Sequence, residues 1–180
     1  TDTGGSVRIP AALCGIAGLK TTVGQVSRAG VYPLSWTLDS VGPLARSVQD
    51  LAWVYECLQG PDSADSTTAG RAIHPVCDTL MEGVKGLRLS FPTRGFWDGV
   101  DSEVEQYVRN TQTVFESLGA RFQTFDFEEA EQARVLNSRG LIAAAEAWTC
   151  NRHLLETNFD ELDPIVAFRM IKGRDIPADE

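Results

Sequence analysis

Residues 87 to 127 constrain the fold of this chain more than any other stretch. Leu87-Arg88-Leu89-Ser90-Phe91 alternates apolar and polar side chains, the period of a strand with one buried face. From Asp101 to Leu118, Val104, Tyr107, Val108, Thr111, Val114, Phe115 and Leu118 recur at helical spacing; Asp101 stands where an N-cap belongs and Gly119 follows as a stop. Arg121 to Phe127 supplies a second strand, anchored by Phe122, Phe125 and Phe127. Two strands separated by a long helix do not form a tight hairpin; if parallel, they make a βαβ unit with a right-handed crossover. The pattern predicts an α/β class with helices flanking a mixed central sheet. The chain has 180 residues, 43% hydrophobic and 23% charged. That is enough to bury a core without a disulfide or metal scaffold.

Three zones are expected within one domain. Residues 1–60 are rich in Gly, Ser, Thr and Pro, with Gly4-Gly5, Pro10, Gly15, Gly18, Gly24, Gly30, Pro33 and Gly42-Pro43 as punctuation. This composition suits short strands and tight loops. The zone closes on a helix: Ser47 and Asp50 resemble a capping box, Leu51, Val54, Tyr55 and Leu58 form its stripe, and Gly60-Pro61 stops it. Residues 61–84 are polar and read as a surface loop. Residues 85–180 carry the βαβ pattern, a helix from Gly140 to Leu155 and another from Pro164 to Ile171. The chain opens on Thr1 inside what reads as a functional loop, and closes on Pro177-Ala178-Asp179-Glu180, which reads as a helix start. A piece of a larger domain is therefore expected.

Charge and composition narrow the partners. Sixteen Lys and Arg stand against 25 Asp and Glu, a net charge of −9. Such a surface is poorly suited to nucleic-acid phosphates, so no direct nucleic-acid contact is expected. The longest apolar runs, such as Ala11–Cys14 and Ala143–Ala145, fall far short of a membrane span. Four cysteines without a C-x-x-C pair suggest neither a disulfide framework nor a zinc site, and a reducing cytoplasm is the expected location. His74 and His153 lie far apart without a nearby second ligand, so neither metal nor cofactor is expected.

The chemistry concentrates in Thr1-Asp2-Thr3-Gly4-Gly5-Ser6-Val7-Arg8-Ile9-Pro10-Ala11-Ala12. A serine after two glycines has an uncrowded hydroxyl, and backbone N–H groups of a Gly-rich loop can converge beside it as an oxyanion hole requires. If Ile9-Pro10-Ala11-Ala12 begins a short helix, Ser6 lies just before its positive end. A bare turn fits the same residues. Asp2-Thr3-Gly4 is also the carboxylate loop of aspartic proteases; that reading expects a hydrophobic strand before the loop and a second copy, in the chain or from a dimer, and the chain holds no second Asp-Thr-Gly.

The run Thr1–Gly15 resembles the signature of the amidase signature family. Gly18-Leu19-Lys20-Thr21-Thr22-Val23-Gly24-Gln25-Val26-Ser27 is similar to the family's next block, with Thr21 where proline is usual and Gln25 where arginine is usual. Thr37–Asp50 resembles a third block in the same order. The resemblance implies an α/β/α fold and hydrolysis of a carboxamide, or transfer of its amine, through a Ser–cis-Ser–Lys triad. Ser6 would be the nucleophile, and Thr3, Gly4 and Gly5, with Ser6 itself, would supply the oxyanion hole. The bridging serine and the lysine would precede Thr1, and Lys20 does not match the catalytic lysine. A small-molecule carboxamide is the implied substrate, and a homodimer or an amidotransferase-type complex the implied assembly.

Other residues are read more plainly. Asp2 and Arg8 are expected to brace the loop, with a substrate contact as the alternative for Arg8. Cys14 and Cys57 read as buried thiols, and Cys77 and Cys150 have no evident base partner. The acidic run Asp126–Glu131 reads as a solvated helix start. Tyr32, Trp36 and Phe96-Trp97 are candidates for an acyl pocket or for the core.

Overall fold

The computed structural model describes residues 1–93 and 95–177; the helix start expected from Ala178 onward lies outside them. The chain divides into two compact units, Thr1–Leu80 with Gly140–Glu180, and Met81–Arg139.

The first unit begins with helix α1 (Arg8–Cys14), ended by Gly15 in the left-handed region. Short strands β1 (Ala17–Gly18) and β2 (Leu44–Ala45) pair antiparallel. Helix α2 (Val48–Leu58) starts where the sequence places it: Ser47 accepts from the Asp50 N–H and donates to the Asp50 carboxylate, completing the orphaned first turn. Its buried residues are Leu51 and Ala52, whereas Val54 and Leu58 are exposed. Between residues 61 and 84 lie a 3-10 turn, Ser66–Thr68, and a single helical turn, α3 (Val76–Thr79). The Thr68 hydroxyl bonds the carbonyls of Asp62 and Asp65 and accepts from the Asp62 N–H, so this polar stretch satisfies itself internally.

Two helices introduced later in the chain complete this unit, and the second unit lies between. There, β3 (Arg88–Pro92) leads into α4 (Ser102–Ser117) and then β4 (Arg121–Phe125). The strands pair parallel, with Leu89 opposite Phe122 and Phe91 opposite Thr124, so the unit is a βαβ. The Asp101 side chain caps α4, accepting from the N–H groups of Glu103 and Val104. Helix α5 (Glu128–Leu136) starts inside the acidic run, with Glu128, Glu129 and Glu131 in its first turn. In the first unit, α6 (Leu141–Thr157) then buries Glu146, Ala147, Asn151 and Leu155, and α7 (Pro164–Ile171) buries Ala167. Gly173 closes the packing: a Cβ there would lie 1.9 Å from the Ala144 carbonyl oxygen, so only glycine lets the chain approach α6.

The fold is α/β, as the sequence predicts, and the described strands form two separate two-stranded ladders, one antiparallel and one parallel. One packing expectation reverses. Five residues of the apolar stripe of α4 (Val104, Tyr107, Val108, Val114, Leu118) are exposed, whereas Phe115 is half-buried and meets Phe122 of the ladder at 6.4 Å. Helical periodicity identifies a stripe but not what covers it. Cys14 and Cys57 are exposed rather than buried. The faces of α1 and α2 that pack inward are already taken by Ala11 and by Leu51 and Ala52.

Candidate active site

The loop before α1 is organised by one carboxylate. Asp2 is fully buried and accepts five hydrogen bonds: from the N–H groups of Gly5 (2.7 Å), Val7 (3.3 Å) and Arg8 (3.3 Å), and from Arg8 Nε (2.9 Å) and Nη2 (3.0 Å). The Arg8 guanidinium, gripping both carboxylate oxygens, is the main reason that the Asp2 carboxyl is held well below the usual range; burial opposes this and the three N–H groups reinforce it. The Asp2 backbone pairs with Ser40, N–H to carbonyl in both directions, and the Ser40 hydroxyl donates to the Asp2 carbonyl. Residue 2 is therefore fixed through both its main chain and its side chain.

This anchoring shapes the turn that follows. Gly5 is buried at φ 132°, a conformation that side chains resist, and a Cβ there would come within 2.5 Å of Ile9 Cδ1. Ser6 is exposed immediately before α1. Its N–H, like those of Thr3 and Gly4, has no hydrogen-bond partner among the described residues, while the Gly5 N–H is committed to Asp2. Thr3 is half-buried and Gly4 and Ser6 are exposed, so these donors are open to solvent or to a ligand. Three such donors in four residues, beside an exposed hydroxyl, leave this loop able to receive an anionic oxygen.

A second carboxylate network, which sequence reasoning missed as part of the site, reaches the same loop. The Thr3 hydroxyl donates to Asp39 Oδ1, and Asp39 Oδ2 accepts from the N–H groups of Leu34 and Ser35, each at 2.9 Å. The Ser35 hydroxyl in turn donates to Glu146 Oε2, which also accepts from the Thr37 N–H at 3.1 Å, while the Thr37 hydroxyl donates to Oε1. Burial pushes the Glu146 carboxyl up, but the donors from Ser35 and Thr37 outweigh it and leave it below its ordinary value. The only sequence signal for Glu146 is a carboxylate within the alanine-rich run Ala143–Ala147.

The remaining candidates lie elsewhere or are otherwise engaged. Lys20 is exposed and its ammonium donates to the Thr21 carbonyl. The Cys77 thiol is pushed up to about 11, first by its hydrogen bond with Glu56 and then by burial, which suppresses the thiolate. Trp36 lines a cavity of about 220 Å3 with Arg28, Pro33, Asp39 and Asp65, whereas Tyr32 is exposed. Phe96 and Trp97 belong to the second unit: Trp97 packs edge-on against Phe91, with the Arg109 guanidinium 4.2 Å above its ring. Among the described residues no three His, Cys, Asp or Glu side chains gather as a metal site, and no helix is long and apolar enough to cross a membrane.

A family model described as Amidase matches residues 1–173. The chain belongs to the amidase family. Over 149 residues it is 45% identical to a glutamyl-tRNA(Gln) amidotransferase component from Desulfotalea psychrophila, covering 83% of this chain and 30% of that protein. Among solved structures it superposes with a TM-score of 0.84, at 31% identity, on a chain from a vestigial protein complex tied to the origins of an s-triazine catabolic enzyme. That match covers 99% of this chain and 38% of the other. The native peptide amidase of Stenotrophomonas maltophilia matches at a TM-score of 0.74 and 26% identity, over 97% of this chain and 40% of that one. The chain thus spans about 30% of the length of the curated relatives it matches.

Proposed function

We propose that this amidase-family chain forms part of an enzyme that cleaves the C–N bond of a carboxamide through an acyl-enzyme on Ser6. The observation that carries this reading is the group of unpaired N–H donors at Thr3, Gly4 and Ser6 around an exposed serine hydroxyl. In the reaction, Ser6 Oγ adds to the amide carbonyl while the bridging serine of the family triad, backed by a neutral lysine, takes its proton and later delivers it to the departing nitrogen. The carbonyl oxygen becomes an oxyanion held by the Thr3, Gly4 and Ser6 N–H groups. The tetrahedral intermediate collapses with loss of the protonated amine or ammonia, and water attacks the ester to regenerate Ser6. Gly5 contributes chiefly by permitting the turn, since its N–H binds Asp2. Asp2 and Arg8 brace the loop, a role supported by their paired hydrogen bonds. The proposed reaction uses no cofactor and takes place in a cytoplasmic setting.

A second reading makes the chain the amide-cleaving part of an amidotransferase-type complex, in which ammonia passes to a partner's substrate. The 45% identity to an amidotransferase component over 149 residues favours it. Both readings share the Ser6 acyl-enzyme. The complete protein, as its gene encodes it, is expected to be labelled at Ser6 by a fluorophosphonate, with the adduct located by peptide mass spectrometry. A folded, complete protein that stays unlabelled removes both readings. Co-purification of a stable partner selects the second.

A further inference from the structure

We infer that Glu146 is a positioning residue for the Ser6 loop, acting through Ser35, Thr37 and Asp39 on Thr3. The inference rests on the reading of Ser6 as the nucleophile, but it is argued from side-chain hydrogen bonds rather than from the unpaired N–H groups that carry that reading.

Glu146 sits on α6, more than a hundred residues from Thr3 in sequence, and is 8% exposed; Asp39 is 3% exposed and Ser35 wholly buried. Among the described residues neither Glu146 nor Asp39 forms an ion pair. Two buried carboxylates without a cation are costly to desolvate, and such a network is favourable only when every acceptor is supplied with donors. Here it is supplied. The hydroxyls of Ser35 and Thr37 and the Thr37 N–H converge on Glu146. The N–H groups of Leu34 and Ser35 and the Thr3 hydroxyl converge on Asp39. A hydrophobic pairing of α6 with residues 33–39 could provide equal burial without that desolvation cost, so the arrangement's distinctive product is directional.

What it directs is the residue that starts the unpaired-donor run. The 35–40 turn is folded on itself by the Asp39 N–H bonding the Ser35 carbonyl at 2.9 Å, and by the Leu38 N–H bonding the Ser35 hydroxyl at 3.2 Å. It is tied to α6 at Ser35 and Thr37, and it holds the loop twice, at Asp2 through Ser40 and at Thr3 through Asp39. The Asp39 bond fixes the Thr3 side chain, and with it the orientation of the Thr3 and Gly4 peptide groups. Oxyanion donors act only at correct distance and direction, and small displacements of such groups are expensive in rate.

The test measures fluorophosphonate labelling of Ser6 in the complete protein, resolving the saturating rate constant from the half-saturating concentration. Thr3→Val, which removes the hydroxyl at nearly constant shape, is expected to slow the saturating rate by about tenfold or more with little change in half-saturation. Thr3→Ser restores it. Glu146→Gln is expected to slow it in the same way and less severely. The Thr3→Val/Asp39→Asn double variant is expected to be no slower than the worse single variant, since the two residues act as one unit. If Glu146→Gln does not fold, Thr37→Val, which removes a hydroxyl donor to Glu146, takes its place and is expected to slow labelling in the same way. Wild-type rates in Thr3→Val or in the folded variant that cuts the Glu146 link, or strictly additive losses in the double variant, overturn the inference and leave Ser6 as nucleophile. An unlabelled wild-type protein overturns the Ser6 reading itself, and this inference with it.

Discussion

The two compact units of this chain are held together by different physics. In the unit formed by Thr1–Leu80 and Gly140–Glu180, buried carboxylates organise the backbone: Asp2 gathers five donors, and Asp39 and Glu146 join residues distant in sequence. In the Met81–Arg139 unit the side chains meet through aromatic contacts, Phe91 with Phe122 at 5.2 Å and Phe125 with Phe127 at 5.1 Å, and its ion pairs lie near the surface. Directional bonds fix a loop in one geometry. Aromatic packing is less demanding of position, and suits a unit that carries no candidate catalytic residue. The difference places the directional bonds around the loop that carries Ser6.

Removing Asp2 is the largest perturbation this contrast offers. Asp2→Ala leaves three N–H groups and the Arg8 guanidinium without their acceptor, and is expected to destabilise the complete protein by roughly 3 kcal/mol, read from denaturant unfolding. It is also expected to abolish fluorophosphonate labelling. Loss of less than about 1 kcal/mol would mean that the loop does not depend on this carboxylate. In the other unit, Phe122→Ala removes the ring shared by Phe91 and Phe115. Because Phe122 is only half-buried, the cost is expected near ~2 kcal/mol, below that of a fully buried phenylalanine, with labelling of Ser6 retained. Lost labelling at intact fold would break the contrast.

Acid sharpens it. The Asp65 carboxyl sits at about 2 against an ordinary 3.8, because the Thr67 hydroxyl and the Arg28 N–H donate to it. A carboxyl lowered by folding contributes stability that is complete above its unfolded value and is lost as pH falls through its folded value. The first unit is therefore expected to weaken between about pH 4 and pH 2. Asp65→Asn is expected to flatten that limb in pH-dependent unfolding, and an unchanged limb would assign it to other carboxyls. The smallest effect belongs to the exposed Arg134–Glu131 pair at 2.6 Å. Arg134→Ala is expected to leave the thermal melt almost unmoved at low ionic strength and unmoved at high salt.

Local features of both units are legible in the residues. Ser47 with Asp50, Asp101 before its helix, and Gly119 after it mark helix ends through short-range hydrogen bonds and backbone freedom. The structure agrees to within a residue or two. The order Gly4-Gly5-Ser6 likewise announces a loop with an uncrowded hydroxyl. The stripe on α4 shows the limit: its spacing is that of a buried face, yet Val104 and Tyr107 are exposed while Arg109 lies over Trp97. Nor could spacing show that the Gly5 N–H is spent on Asp2, or that Glu146 belongs with Ser35 and Thr37.

The sequence by itself determined the α/β class, the helix ends and the Gly-rich candidate loop around Ser6, because caps, turns and periodicity are properties of neighbouring residues. Only the tertiary structure decided which N–H groups remain unpaired beside Ser6, and which distant carboxylate holds Thr3. Those depend on hydrogen bonds between residues up to 111 positions apart, and their partners are chosen by how α6 and the 33–40 turn come together in space.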